Sequence, residues 1–146
     1  MAIKQGIVKQ VEGITFIGRA DSGHWVTMDG GTQFGGNNGA CSPKELLLLA
    51  LGGCTGSDIG PILTKKGVQL DGFEIRLSGT VRDEHPQVFT DIHIEYVFHG
   101  VDIRVVDIER AIELSKTKYC SISAMLNSSV KITHSYSIVQ PEAAPV

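Results

Sequence analysis

The chain has 146 residues, of which 42% are hydrophobic and 20% are charged, and this length and composition predict a single globular domain over residues 1–146. Its net charge of −3, with no basic run longer than two residues, argues against a nucleic-acid-binding surface. The first ten residues lack the apolar segment of a secretion signal, and no purely apolar run approaches the roughly 20 residues of a membrane span. We therefore expect a cytoplasmic protein that binds neither nucleic acid nor membrane.

Residues 1–30 predict short N-terminal strands. Their apolar residues fall in small groups that are separated by Glu-Gly, Asp-Ser-Gly and Asp-Gly-Gly turns. Short groups with such turns are typical of an antiparallel meander. Residues 30–40, GGTQFGGNNGA, have no apolar period and predict a loop.

A long central helix is predicted over residues 42–67. Ser42 suits the N-cap, Pro43 suits the first helical position, and Glu45 stands three residues after the cap, so that the segment reads as a capping box. Gly67 suits a left-handed C-cap. One helical stripe follows the i, i+4, i+7 spacing and contains Leu47, Leu51, Cys54, Asp58 and Ile62.

The remaining segments predict a second sheet with two further helices. Alternating apolar and polar residues over 68–99 predict a long hairpin with one face in solvent. Residues 105–127 predict two helices that are separated at Tyr119-Cys120, and residues 130–139 predict a final strand before a tail at 140–146. This order of strands and helices predicts the α+β class.

The three cysteines are the candidates for chemistry. Cys54, on the central helix, is either a small buried hydrophobe or a reactive thiol. Cys120 stands at the start of a short helix, where a thiol pKa is lowered, whereas Cys41 lies in a loop and has the weakest case. Arg19 ends a strand at a turn, from which its guanidinium could reach a cleft and stabilise a thiolate. No histidine is spaced from a cysteine like a zinc ligand, so we expect no metal site.

Two motifs together resemble the OsmC/organic hydroperoxide resistance family, and within it the YhfA-like branch. The first runs from Ser42-Pro43-Lys44-Glu45 to Leu51-Gly52-Gly53-Cys54, and the second is Lys118-Tyr119-Cys120-Ser121-Ile122-Ser123. The resemblance implies an OsmC-like α+β fold in which antiparallel sheets wrap around two long central helices. It also implies an intertwined homodimer with two active sites at the interface and no cofactor.

The resemblance further implies a thiol peroxidase for organic hydroperoxides. In such an enzyme Cys54 attacks the peroxide and becomes a sulfenic acid, and Cys120 resolves it to a disulfide that an external dithiol reduces. Arg19 matches the family's arginine from an early strand. The family's glutamate position is occupied here by Lys44, and Glu45 is the nearest substitute.

Two alternatives remain open from the sequence, whereas a third, a general disulfide reductase, is disfavoured because no Cys-x-x-Cys motif occurs. The first is a non-catalytic dimer of the same fold that binds a small apolar or reactive molecule beside Cys54. The strongly apolar central helix and the presence of Lys44 at the family's glutamate position favour this alternative. The second concerns only the disulfide: Cys41 lies within loop reach of the central helix and is an alternative partner for Cys54.

Overall fold

The computed structural model describes residues 1–142, which fall into two compact units. Unit 1 is Met1–Leu47 and unit 2 begins at Leu48. The predicted tail at 140–146 lies outside the described residues from position 143 onward. The prediction of a single domain stays a prediction.

Unit 1 contains an antiparallel sheet of three short strands in the order β1-β2-β3. The strands are β1 (Gly6–Glu12), β2 (Thr15–Ala20) and β3 (Trp25–Met28). The turns between them contain Gly13 and Gly23, which have φ angles of 54° and 80°, a conformation that favours glycine. Every residue of β1 is exposed. β1 therefore buries little apolar surface, whereas Thr15–Gly18 of β2 are half-buried or buried.

The glycine-rich loop after β3 folds around one carboxylate. Asp29 is only 2% exposed and accepts hydrogen bonds from the backbone N–H groups of Gly30 (2.8 Å), Asn37 (3.0 Å) and Gly39 (3.0 Å). The hydroxyl of Thr15 donates a fourth bond at 3.1 Å. The bonds from Gly39 and Gly30 are the main reason that the pKa of Asp29 lies below 3.8. The loop that lacks any apolar period thus takes its shape from a buried polar centre.

We expect Asp29→Asn to loosen this loop. Because the folded-state pKa of Asp29 is lowered, its stabilisation is complete above about pH 3.8 and is lost as the pH falls through the lower folded value. The asparagine side chain has one oxygen that accepts hydrogen bonds and one NH2 group that only donates them. The variant therefore cannot accept all of these N–H bonds and lacks this stabilisation at neutral pH. Limited proteolysis at pH 7 should cut residues 30–40 several-fold faster in the variant than in the unaltered chain. Equal rates of cleavage would contradict this assignment.

The long helix α1 (Pro43–Lys65) begins with the expected capping box. The backbone N–H of Ser42 donates to Glu45 Oε2 at 2.7 Å, and the N–H of Glu45 donates to Ser42 Oγ at 3.3 Å. The helix is followed by Gly67, which has a φ of 77°. By length and composition alone α1 would also suit a membrane span, with a mean hydropathy of 1.5, but central helices of globular proteins share this property.

Gly52 has a packing role in α1. A Cβ atom placed on Gly52 would lie 2.7 Å from Cδ1 of Leu77, so the missing side chain lets the second sheet approach the helix. A Cβ atom placed on Gly53, about 100° further around the helix, would meet no other atom within 4 Å. A side chain at Gly52 would thus clash with Leu77, whereas a side chain at Gly53 would meet no such contact.

Unit 2 contains a mixed sheet of three longer strands in the order β4-β5-β6. The strands are β4 (Gly72–Val81), β5 (Phe89–His99) and β6 (Lys131–Val139). β4 and β5 pair antiparallel, whereas β6 pairs parallel to β5, from Asp91↔Lys131 to His99↔Val139. The α+β class is confirmed, and the expectation of purely antiparallel sheets is corrected for β6. The physical reason is the helical connection after β5, since a long crossover returns the chain in the same direction.

The core of unit 2 lies between this sheet and its helices. On β5, Ile92, Ile94, Tyr96 and Phe98 are at most 1% exposed, and the ring of Phe98 stacks on Phe73 with centroids 4.7 Å apart. The helices contribute further residues that are completely buried: Leu51, Ile59, Leu63, Ile108 and Ala111. The alternation along β5 thus places these apolar side chains on the face of the sheet that packs against the helices.

The crossover between β5 and β6 positions the second thiol. Helix α2 (Val105–Leu114) continues into a π-helical turn at Ser115–Tyr119, and a short helix α3 (Ser121–Leu126) follows. Cys120 separates the two and has an extended backbone with a φ of −70° and a ψ of 99°. It is therefore the N-cap of α3, and its Sγ accepts the N–H of Ser123 at 3.4 Å.

Candidate active site

Two sulfurs and one carboxylate meet in unit 2. Cys54 and Asp58 lie one turn apart on α1, and Cys120 comes from the start of α3. The Sγ atoms of both cysteines and a carboxylate oxygen of Asp58 all lie within 4.8 Å of one another. Cys54 is half-buried, whereas Cys120 is only 3% exposed. All three cysteines of the chain are free thiols, so the pair is in its reduced form.

Hydrogen bonds make Cys54 the more acidic of the two thiols. Burial raises the pKa of Cys54, but the backbone N–H of Ile122, the thiol of Cys120 and the hydroxyl of Ser121 lower it. Ser121 Oγ lies 3.9 Å from the sulfur. The charge of Asp58 acts in the opposite direction, and the net result is a pKa below 9.0. Within unit 2, the thiolate of Cys54 is thus favoured by donors at the start of α3.

Cys120 has the opposite electrostatics. Burial is the main cause that raises its pKa to about 11, and its hydrogen bond to the Cys54 sulfur raises it further. The N–H of Ser123 lowers the pKa by less than these effects raise it. The expectation that the helix start would lower the pKa of Cys120 is therefore wrong, because burial outweighs one N–H donor. Cys120 keeps its proton and shares it with Cys54.

Asp58 is held in place by a buried hydroxyl. Ser115 is 1% exposed, and its Oγ donates to Asp58 Oδ2 at 2.9 Å. Ser115 begins the π-helical turn that follows α2. The sequence placed Asp58 on the same helical stripe as Cys54 but gave it no role. The i, i+4 spacing of these two residues was the signal that could have identified it.

The buried Tyr96, paired with the half-buried His134, lies beside the thiols. The Tyr96 hydroxyl lies 3.1 Å from Nδ1 of His134, and the two rings are stacked 6.0 Å apart. Burial raises the pKa of Tyr96 to about 12; a hydrogen bond with Thr55 lowers it, and the nearby Cys120 and Asp58 raise it further. The tyrosine therefore stays protonated and can donate a hydrogen bond near the cysteines. Tyr96 alternates with apolar residues along β5, so the sequence indicated a core position and no role at the site.

The other two predicted site residues belong to unit 1. The guanidinium carbon of Arg19 lies 5.0 Å from the centroid of the Trp25 ring, at cation–π distance. Glu45 completes the capping box, and the bond from the Ser42 backbone N–H is the main cause of its lowered pKa. Cys41 is exposed. The structure thus brings Cys54 together with Cys120, and the roles of Arg19, Glu45 and Cys41 at Cys54 stay predictions.

Removing the Asp58 charge should make Cys54 more acidic. In the reduced protein, the rate of labelling of Cys54 by iodoacetamide should rise with an inflection below pH 9.0, because only the thiolate reacts. Asp58→Asn should move the inflection to lower pH, since the carboxylate raises the pKa of Cys54. Asp91→Asn, which changes an exposed carboxylate on β5, is the matched control. An upward shift in the Asp58 variant would contradict the assignment.

Comparison with known proteins identifies relatives over nearly the whole chain. The family model for OsmC-like proteins matches residues 35–135. Protein YhfA of Escherichia coli strain K12 is 41% identical over 135 residues, which cover 92% of this chain and 98% of that protein. A hypothetical protein from Aquifex aeolicus VF5 has a crystal structure with a TM-score of 0.84 and 31% identity, covering 97% of this chain and 100% of that one.

A more distant structure shares the fold. The organic hydroperoxide resistance protein OsmC from Legionella pneumophila aligns with a TM-score of 0.71 over 94% of this chain and 98% of that chain, at 14% identity. Together with the family model and the 41% identity to YhfA, this likeness confirms the resemblance that the two cysteine motifs indicated. The chain belongs to the OsmC-like protein family and has its α+β fold.

Proposed function

We propose that this protein is a thiol peroxidase that reduces organic hydroperoxides with Cys54 and Cys120. The observation that carries the proposal is the pairing of two free thiols of unequal acidity within 4.8 Å. The pKa of Cys54 is lowered after the opposing effect of burial, whereas burial raises that of Cys120 to about 11. An acidic, half-buried thiol beside a buried protonated one suits an attacking and a resolving cysteine.

In the first step the Cys54 thiolate attacks the terminal oxygen of the hydroperoxide. A new S–O bond forms while the O–O bond breaks, so that Cys54 becomes a sulfenic acid and the organic part leaves as an alcohol after taking up a proton. The sulfur is oxidised by two electrons and the peroxide is reduced by the same two. Donors around Cys54, among them the Ser121 hydroxyl, stabilise the thiolate before the attack.

In the second step Cys120 resolves the sulfenic acid. Its sulfur attacks Cys54, an S–S bond forms, and the hydroxyl leaves as water with the proton of the Cys120 thiol. The two sulfurs must close from at most 4.8 Å to about 2.05 Å, the length of a disulfide. An external dithiol then reduces the disulfide and returns both thiols, which suits the reducing cytoplasm.

Organic hydroperoxides are proposed as substrates because of the family. The Legionella pneumophila relative of the same fold is named an organic hydroperoxide resistance protein. Arg19 is proposed as the cation that stabilises charge at the reacting sulfur, and Glu45 is proposed as the partner that positions the arginine. Lys44 occupies the position at which the resemblance implies a glutamate. Glu45, the next residue of α1, is therefore proposed to position Arg19.

The proposed enzyme is a homodimer, and exposed apolar surface supports this. An added Cβ atom would meet open space at Gly53 and Gly60, although both lie on the longest helix. The exposed residues of α1 between its charged ends are small or apolar: Leu47, Leu49, Ala50, Gly53, Ser57, Pro61 and Thr64. In unit 1 the sheet exposes Ile7, Val8, Val11, Trp25 and Val26. A second chain would cover such surfaces. Analytical ultracentrifugation of the intact protein should therefore give a mass twice that of the 15.7 kDa chain.

Peroxide consumption without added reductant tests the proposal. Reduced protein mixed with excess cumene hydroperoxide should consume one equivalent per chain and then stop, because the disulfide ends the reaction. A dithiol should restore turnover. The absence of any peroxide loss over hours would refute the proposed peroxidase activity.

The second candidate is a non-catalytic protein that binds a small apolar or reactive molecule beside Cys54. The carboxylate of Asp58 favours it, because its charge opposes a thiolate at both Cys54 and Cys120. The pKa of Cys54 separates the two candidates: a value at or above 9.0 would favour binding or packing, and a lower value favours catalysis.

A further inference from the structure

Three metal-ligating groups from two helices converge on one point. The sulfurs of Cys54 and Cys120 and a carboxylate oxygen of Asp58 are all within 4.8 Å of one another. Tetrahedral Zn²⁺, with Zn–S bonds of about 2.3 Å, holds two thiolate sulfurs roughly 3.8 Å apart. A sulfur and a carboxylate oxygen on the same ion lie roughly 3.5 Å apart, so a contraction of about 1.3 Å at most would bring the three groups to bonding distance of one ion.

The charges of the cluster favour a cation at this point. Each of the three groups is anionic when deprotonated, so together they repel one another unless a positive charge lies between them. Within residues 48–142, Asp58 takes part in no salt bridge with a lysine or arginine. The proton that Cys120 shares with Cys54 limits this repulsion in the metal-free protein. A divalent ion would offset the repulsion once both thiols are deprotonated.

The carboxylate is also oriented as a ligand would be. Ser115 Oγ donates to Asp58 Oδ2 at 2.9 Å, and Ser115 is 1% exposed. Carboxylates that bind metals are commonly held by hydrogen bonds of this kind, which fix their direction before the ion arrives. Cys120 is fixed in the same way, because the N–H of Ser123 donates to its sulfur at 3.4 Å.

We propose that the reduced protein binds one thiophilic divalent metal ion of the zinc type through Cys54, Asp58 and Cys120, with water as the fourth ligand. Two sulfurs with one oxygen suit Zn²⁺ and Co²⁺, whereas Mg²⁺ and Ca²⁺ prefer oxygen ligands alone. Binding releases the thiol protons to solvent. The expectation of no metal site rested on histidine–cysteine spacing alone and did not consider groups that are distant in the chain. The site is independent of the proposed function, since a protein that reduces no peroxide would still bind the ion.

Titration with Co²⁺ tests the site by spectroscopy rather than by activity. The reduced, full-length protein should develop sulfur-to-cobalt charge-transfer bands that saturate at one ion per chain and disappear when Zn²⁺ is added. Cys120→Ser should lose most of this intensity. Asp58→Asn should weaken Co²⁺ binding at least about tenfold, because even outer partners of metal ligands are worth that much. Cys41→Ser is the matched control and should keep the bands, since Cys41 is exposed and outside the cluster.

A second measurement needs no variant. In the unaltered chain, Zn²⁺ should slow the labelling of Cys54 by iodoacetamide but leave the labelling of Cys41 unchanged. Three results would each overturn the proposal: no charge-transfer bands, equal protection of Cys41 and Cys54, or unchanged Co²⁺ affinity in the Asp58→Asn protein.

Discussion

Replacing Cys54 by serine should lower the rate of hydroperoxide reduction at least about a thousandfold, because a hydroxyl at this position is not ionised and cannot take up the peroxide oxygen. The structural basis is the lowered pKa of Cys54, in which donors from Ile122, Cys120 and Ser121 overcome the effect of burial. The rate is measured with cumene hydroperoxide and an excess of dithiol. A variant that keeps more than about a tenth of the original rate would remove Cys54 from the mechanism.

Cys120→Ser should separate the two chemical steps. The variant should still consume one equivalent of peroxide, because Cys54 remains, but the sulfenic acid should persist and react with dimedone. Steady turnover with a dithiol should fall, since the disulfide no longer forms. Cys41→Ser should match the unaltered protein in both measurements, because Cys41 is exposed and lies outside the cluster. If Cys41→Ser instead accumulates the sulfenic acid, Cys41 rather than Cys120 is the resolving thiol.

Phe98→Ala should cause the largest loss of stability. The Phe98 ring is completely buried and stacks on Phe73 with ring centroids 4.7 Å apart and an angle of 7° between the planes. Truncating a buried phenylalanine leaves a cavity and typically lowers the free energy of unfolding by about 3–5 kcal/mol. Thermal unfolding at fixed protein concentration should show a midpoint lower by roughly 10 °C.

The control for this substitution is Val101→Ala. Val101 is 58% exposed, so its truncation should change the free energy of unfolding by no more than about 0.5 kcal/mol. If the two variants unfold at the same temperature, the stacked aromatic residues of β5 do not form the stabilising core. A Phe98→Leu variant should lie between them, since leucine fills part of the cavity.

Local signals made much of the fold predictable. The hydrogen bonds that Ser42 and Glu45 exchange follow directly from their spacing, and the apolar alternation along β5 identifies its buried face. The two cysteine motifs identified the family, because their combination is more specific than either motif alone. The α+β class followed from the order of elements, whereas the parallel pairing of β6 depends on the path of the crossover, which no local pattern encodes.

The electrostatics of the site were less predictable, because they depend on contacts between distant segments. Whether Cys120 would be acidic depended on how deeply the π-helical turn and α3 bury it, and burial raises its pKa to about 11. From the sequence, the group expected to stabilise a thiolate was the guanidinium of Arg19. Within unit 2 the start of α3 supplies N–H and hydroxyl donors instead. Asp58 became a site residue only when Cys120 and Ser115 were placed beside it.

Disulfide mapping by mass spectrometry tests the central claim most directly. Reduced protein is treated with one equivalent of cumene hydroperoxide, its remaining thiols are alkylated, and its peptides are identified. The proximity of the sulfurs within 4.8 Å predicts a Cys54–Cys120 link, the loss of two hydrogens from the chain and an alkylated Cys41. Recovery of Cys54 as an unoxidised thiol, or as a partner of Cys41, would contradict the proposed chemistry.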